Sequence, residues 1–92
     1  MCEKILYRIS IKGRVQGVGY RWNAANEAIS RDITGFVRNL SDGSVYIEAE
    51  GTREQLDSYL EWCRQGPRLS IVRALKFEAG DPEGYEDFRI EH

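Results

Sequence analysis

Residues 4–12 alternate, with Ile5, Tyr7, Ile9 and Ile11 on one face, which predicts a half-buried strand. Between Tyr20 and Arg31 the period changes to that of a helix, and Ala24, Ala25, Ala28 and Ile29 are spaced for a buried stripe whose small side chains let the helix sit close on a sheet. Residues 34–40 and 44–50 read as two further strands. In the second, Val45, Ile47 and Ala49 point inward and Tyr46, Glu48 and Glu50 outward, and Ser41-Asp42-Gly43 between the two strands marks a hairpin. Thr52-Arg53-Glu54-Gln55 is a capping box that opens a second helix, with Leu56, Tyr59, Leu60 and Cys63 at i, i+3, i+4 and i+7, and Gly66-Pro67 closes it. Residues 71–78 make a fourth strand. A polar loop over 80–86 leads to a short terminal strand, 87–91, carrying Phe88 and Ile90.

The order is βαββαβ plus one strand. Two helices on one face of an antiparallel sheet define an α+β, ferredoxin-like sandwich, here a single domain spanning residues 1–92 with a short extra C-terminal strand. Apolar residues make up 41% and charged residues 30% of the chain, the balance of a soluble domain with one core. The net charge of -2 supplies no global field for nucleic acid or an anionic membrane, so any anion site must be local. No apolar run approaches the roughly 20 residues of a membrane span, and no leader pattern is present. Cys2 and Cys63 are too few and too far apart for a disulfide scaffold. Cys63 reads as a reduced core residue and Cys2 as a terminal bystander, and a cytoplasmic location is expected.

Such a local site is visible between the first strand and the first helix. Gly13-Arg14-Val15-Gln16-Gly17-Val18-Gly19-Tyr20-Arg21 places three glycines in a loop that runs into a helix. A loop of this kind can turn successive N–H groups into one concavity, where the helix dipole also favours negative charge. Arg21 adds a planar cationic fork suited to phosphate oxygens. The glycine spacing fits neither the dinucleotide fingerprint nor a nucleotide P-loop, so one phosphoryl group without a nucleotide is the expected ligand.

The chemistry available there is narrow. The sole histidine is His92, no carboxylates cluster near the loop, and residues 13–21 contain neither Cys nor His, which disfavours metal hydrolysis and a cysteine nucleophile. Ser10 lacks a base. What remains is Arg21, a ring of amides and a neutral polar group to place water, a kit that suits an easy leaving group. A carboxylate, whose conjugate acid has a pKa of about 4 to 5, needs no general acid. The substrate implied is a mixed anhydride of phosphate and a carboxylic acid. Asn39 is the candidate for the water, since an amide accepts a hydrogen bond without repelling a dianion. Read in isolation, Asn39 at the end of a strand also suits a turn cap. Arg14 reads as loop surface or as a second phosphate ligand, and Arg38 as sheet surface.

The loop motif, followed by Gly35-Phe36-Val37-Arg38-Asn39-Leu40-Ser41-Asp42-Gly43-Ser44-Val45, resembles the two signatures of the acylphosphatases, and the likeness extends over essentially the whole chain. The resemblance implies a ferredoxin-like monomer that hydrolyses small acyl phosphates to carboxylate and inorganic phosphate without metal or cofactor. It also implies that Arg21 binds phosphate, that Asn39 positions water, and that Arg14, Val15, Gln16, Gly17, Val18 and Gly19 form the phosphate cradle through their N–H groups. The chain departs from the family pattern in three places. Arg31-Asp32-Ile33 stands where Leu-Gly-Leu is usual, which forces another helix end or a left-handed aspartate. Tyr20 replaces a common Phe, and Trp22-Asn23 falls at the rim of the cradle.

Two rival readings remain. An RNA-binding module shares the βαββαβ order and Gly35-Phe36-Val37 echoes its signature, but the first strand offers Leu6 and Arg8 where stacking aromatics are needed. A carbamoyl-phosphate-handling module, similar to the acylphosphatase-like domain of hydrogenase maturation proteins, would differ in substrate and partner.

Overall fold

The computed structural model describes residues 3–92; Cys2 lies outside them. The elements are β1 (Ile5–Arg14), α1 (Tyr20–Ser30), β2 (Thr34–Asn39), β3 (Val45–Gly51), α2 (Arg53–Gln65), β4 (Ile71–Gly80) and β5 (Phe88–Glu91). They form a five-stranded sheet of order β4-β1-β3-β2-β5. β1 lies antiparallel to β3 and β4, and β2 antiparallel to β3, with Ile9 opposite both Ile47 and Phe77. The α+β, ferredoxin-like expectation holds with one correction: β5 runs parallel to β2, so the sheet is mixed. The cause is a crossover. β4 ends at one edge, and residues 81–87 cross the end of the sheet to the opposite edge, so β5 starts beside Gly35 and runs in the direction of β2.

One face of the sheet supplies Tyr7, Ile9, Ile11, Val37, Val45, Ile47 and Ala49 to the core. The helices supply Ala24 and Ala28 from α1 and Leu56, Tyr59, Leu60 and Cys63 from α2. Each fully buried aliphatic side chain contributes about 1.5–3 kcal/mol. The two helices are also tied by a buried hydrogen bond, the Tyr59 hydroxyl donating to the Ala24 carbonyl at 2.9 Å. Ile29 does not belong to the buried stripe: it is 58% exposed. The stripe of α1 follows Tyr20, Ala24 and Ala28 at intervals of four, and Ile29 lies about 100° round the helix from Ala28.

The helix ends follow from local chemistry. α2 carries the expected capping box, Thr52 accepting from the Gln55 N–H while the Gln55 side chain accepts from the Thr52 N–H. α1 ends on Asp32 with φ 57°, the left-handed aspartate that the missing glycine demands. Ile33 N–H donates to the Ala28 carbonyl and Asp32 N–H to that of Ile29, the bond pair of a Schellman motif.

The opposite face of the sheet is partly covered. The crossing segment is pinned by Glu50, 2% exposed, whose carboxylate accepts from the N–H groups of Glu83, Gly84 and Tyr85. Leu6, on that face by alternation, is fully buried at the end of the sheet where the segment crosses, rather than open to a ligand. Tyr85 packs edge-on against Phe36, and the Arg38 guanidinium lies over the Phe36 and Tyr46 rings. Those aromatics are occupied by the protein's own side chains.

Candidate active site

The loop between β1 and α1 alternates buried and open positions. Val15 is 1% exposed and Val18 is packed against the core, so these two side chains anchor the loop. Gly17 and Gly19 have φ of 74° and 78°, a left-handed conformation costing other residues about 1 kcal/mol or more, and it is these two that turn the backbone toward solvent. Gly19 is also the N-cap of α1. It has no side chain to bond the first-turn N–H groups, and that turn contains no acidic residue. The positive end of the helix is therefore left uncompensated beside the loop.

A cavity of about 280 Å³ opens at this point, lined by Val15, Gly17, Gly19, Tyr20, Arg21, Trp22, Asn39, Ile90 and His92. Of the residues expected from the sequence, Val15, Gly17, Gly19, Arg21 and Asn39 meet there. Gln16 and Val18 belong to the loop without lining the cavity. Arg14 is exposed on β1 opposite Ile71 and does not line the cavity.

Arg21 is held by β5. Its Nη1 donates to the Glu91 carbonyl at 2.9 Å and lies 3.3 Å from His92 Nδ1. The Glu91 carboxylate is turned to Arg38, at 3.6 Å, and Arg21 makes no ion pair among the described residues. Among the described residues no Asp or Glu side chain lines the cavity. A guanidinium with one edge fixed by backbone and no counter-charge is prepared for an anion.

Asn39 closes β2 on the helix-facing side, in step with Val37. Its Oδ1 is buried and accepts no hydrogen bond from the described residues. The turn that follows is held by other groups: Leu40 N–H to the Ser44 carbonyl, Gly43 N–H to that of Leu40, and Ser44 N–H to the Asp42 carboxylate. The hydrogen bonds from the Ser44 hydroxyl and N–H hold the Asp42 carboxyl below its usual range. Asn39 is not needed as a turn cap.

Sequence reasoning missed three things. Gln16 works through its side chain, Nε2 donating to the carbonyls of Leu40 and Ser44 at 2.8 Å each, which bolts the loop to the hairpin beside Asn39. The Tyr20 hydroxyl is buried and donates to the Cys63 carbonyl at 2.8 Å, joining the start of α1 to α2; burial and that neighbour push its ionisation far above the usual range. Ile90 and His92 reach the cavity only because β5 pairs with β2, a long-range pairing that no local pattern announces. Cys63, by contrast, is fully buried and free, as expected, and burial raises its thiol to about 12.

The chain is similar to known proteins over nearly its whole length. The acylphosphatase family profile matches residues 7–90. An acylphosphatase of Thermococcus kodakarensis is 39% identical, the alignment covering 96% of this chain and 97% of that protein. One from Natronomonas pharaonis is 42% identical over 98% of each. The crystal structure of the acylphosphatase from Bacillus subtilis superposes with a TM-score of 0.94 at 38% identity, covering 96% of this chain and 99% of that one.

Proposed function

The chain belongs to the acylphosphatase family, and on that premise we propose that it hydrolyses the carboxyl–phosphate bond of small acyl phosphates by direct attack of water, with Arg21 and Asn39 as the catalytic residues. The observation that carries this reading is the buried, unpartnered Asn39 Oδ1 in the same cavity as an Arg21 that lacks a counter-charge.

The phosphoryl group sits against the N–H groups of residues 14–19 and the start of α1, with the outer edge of Arg21 on its oxygens. Asn39 Oδ1 accepts a hydrogen bond from water, leaving a water lone pair for phosphorus. As that P–O bond forms, the bond to the acyl oxygen breaks, the carboxylate departs with the electron pair, and the water's proton passes to a phosphate oxygen. Charge in this loose transition state lies on the phosphoryl oxygens, where amides and guanidinium stabilise it most. The carboxylate leaves unprotonated, so no general acid is needed.

The same reading makes the enzyme independent of metal and cofactor. The donor set supports it: among the described residues no three His, Cys, Asp or Glu side chains converge, and His92 alone of these types lines the cavity. The enzyme is further taken to be a cytoplasmic monomer that binds no nucleic acid and no membrane. No described helix is long and apolar enough to cross a bilayer, and the aromatics of the open sheet face are covered by Arg38 and Tyr85. Wild-type protein, exhaustively chelated, is expected to hydrolyse acetyl and benzoyl phosphate at the untreated rate and to leave a phosphate monoester intact. A loss of turnover restored by Mg²⁺ or Zn²⁺ contradicts the mechanism.

A further inference from the structure

Trp22 follows Arg21 on α1 and lines the same cavity, yet it is 64% exposed. The second tryptophan behaves differently, Trp62 packing against Tyr20 and Tyr59. Trp22 stacks on no other ring among the described residues. The next residue does not compete for a ligand, because the Asn23 side chain donates back to the Gly19 carbonyl. The rim beside Arg21 is thus one bare indole, with half-buried Ile90 also lining the cavity.

In-line displacement places the attacking water and the leaving carboxylate on opposite sides of phosphorus. Asn39 Oδ1, the water-accepting atom, is buried. The acyl group must therefore leave toward the open mouth, where Trp22 stands. A cavity of about 280 Å³ also exceeds what one phosphoryl group fills, a water molecule in the liquid occupying roughly 30 Å³. Resting on the proposed acyl phosphate hydrolysis, we infer that Trp22 and Ile90 form an acyl subsite that selects aromatic acyl phosphates over acetyl or carbamoyl phosphate. A flat acyl ring gains offset stacking on the indole and covers apolar surface that a methyl or amino group leaves wet. Trp22 contacts the substrate without taking part in phosphoryl transfer, so its effect is on selection.

Steady-state kinetics of wild type, Trp22→Ala and Trp22→Phe with benzoyl, acetyl and carbamoyl phosphate test this, with inhibition by inorganic phosphate measured beside them. Trp22→Ala is expected to lower kcat/KM for benzoyl phosphate about tenfold, equivalent to about 1.4 kcal/mol. The acetyl and carbamoyl values are expected to stay within about twofold, and phosphate inhibition to be unchanged, because the subsite touches only the acyl part. Trp22→Phe is expected to recover most of the benzoyl value. A wild type without preference for the benzoyl compound, or a loss equal for all three substrates, overturns the subsite while leaving acyl phosphate hydrolysis intact. A wild type inert toward all three overturns both.

Discussion

Asn39 separates geometry from charge. Asn39→Ala removes the buried Oδ1 proposed to accept from water and leaves the loop and Arg21 in place. Turnover is expected to fall by about a hundredfold or more, the scale of losing one preorganised polar group, with inorganic phosphate affinity nearly unchanged. Asn39→Asp keeps the shape and adds a charge beside a dianion. At about 4 Å and an effective dielectric of about 20, that repulsion is on the order of 4 kcal/mol before screening, so phosphate affinity should fall together with turnover. Calorimetric phosphate titration and turnover in both folded variants check the pair; full turnover in Asn39→Ala removes the residue from the mechanism. The sequence made Asn39 a candidate through its neutrality and its parity with Val37. It left the turn-cap reading open, because only the hydrogen bonds among Leu40, Asp42, Gly43 and Ser44 show the hairpin held without it.

At the scale of elements, the loop and the β2–β3 hairpin form one unit because Gln16 donates to both Leu40 and Ser44. Gln16→Ala cuts both bonds, at about 0.5–1.5 kcal/mol each, while the Leu40 and Ser44 carbonyls keep their partners in the Gly43 and Leu40 N–H groups. It is expected to lower kcat more than it raises the phosphate dissociation constant, since the cradle amides persist while their register against Asn39 loosens. Turnover and phosphate titration on the same preparation separate the two effects, and an unaltered kcat removes Gln16 as a positioning residue. Elements with a strong local signature were legible: the capping box at Thr52, the alternation of β1 and β3, and the helix break at Gly66-Pro67. The left-handed Asp32 was legible as one of two outcomes. Gln16 was read as backbone alone, since nothing in a nine-residue motif tells which carbonyls of a hairpin 24 and 28 residues away its side chain will meet.

Across the whole molecule, the parallel docking of β5 completes the cavity by bringing Ile90, His92 and the Glu91 carbonyl to Arg21. The edge on which the fifth strand docks was not legible, because the path of residues 81–87 depends on Glu50 accepting three amides from a distant segment. The core that carries the site also sets an alkaline limit. Burial, ahead of any neighbouring charge, raises the Cys63 thiol from 9.0 to about 12, and raises Tyr20 and Tyr59 in the same direction. A raised folded-state value contributes stability that is fully present below the unfolded value and is lost as pH rises toward the folded one. The urea midpoint is thus expected to fall between about pH 9 and 12, and a midpoint flat across that window contradicts the buried, protonated Cys63. In the proposed mechanism water attacks phosphorus, and hydrolysis of an acyl phosphate in ¹⁸O-labelled water tests that most directly. Mass analysis of the products is predicted to find one labelled oxygen per turnover in inorganic phosphate and none in the carboxylate; label in the carboxylate means attack at the acyl carbon and contradicts the assignment of Arg21, Asn39 and the glycine loop.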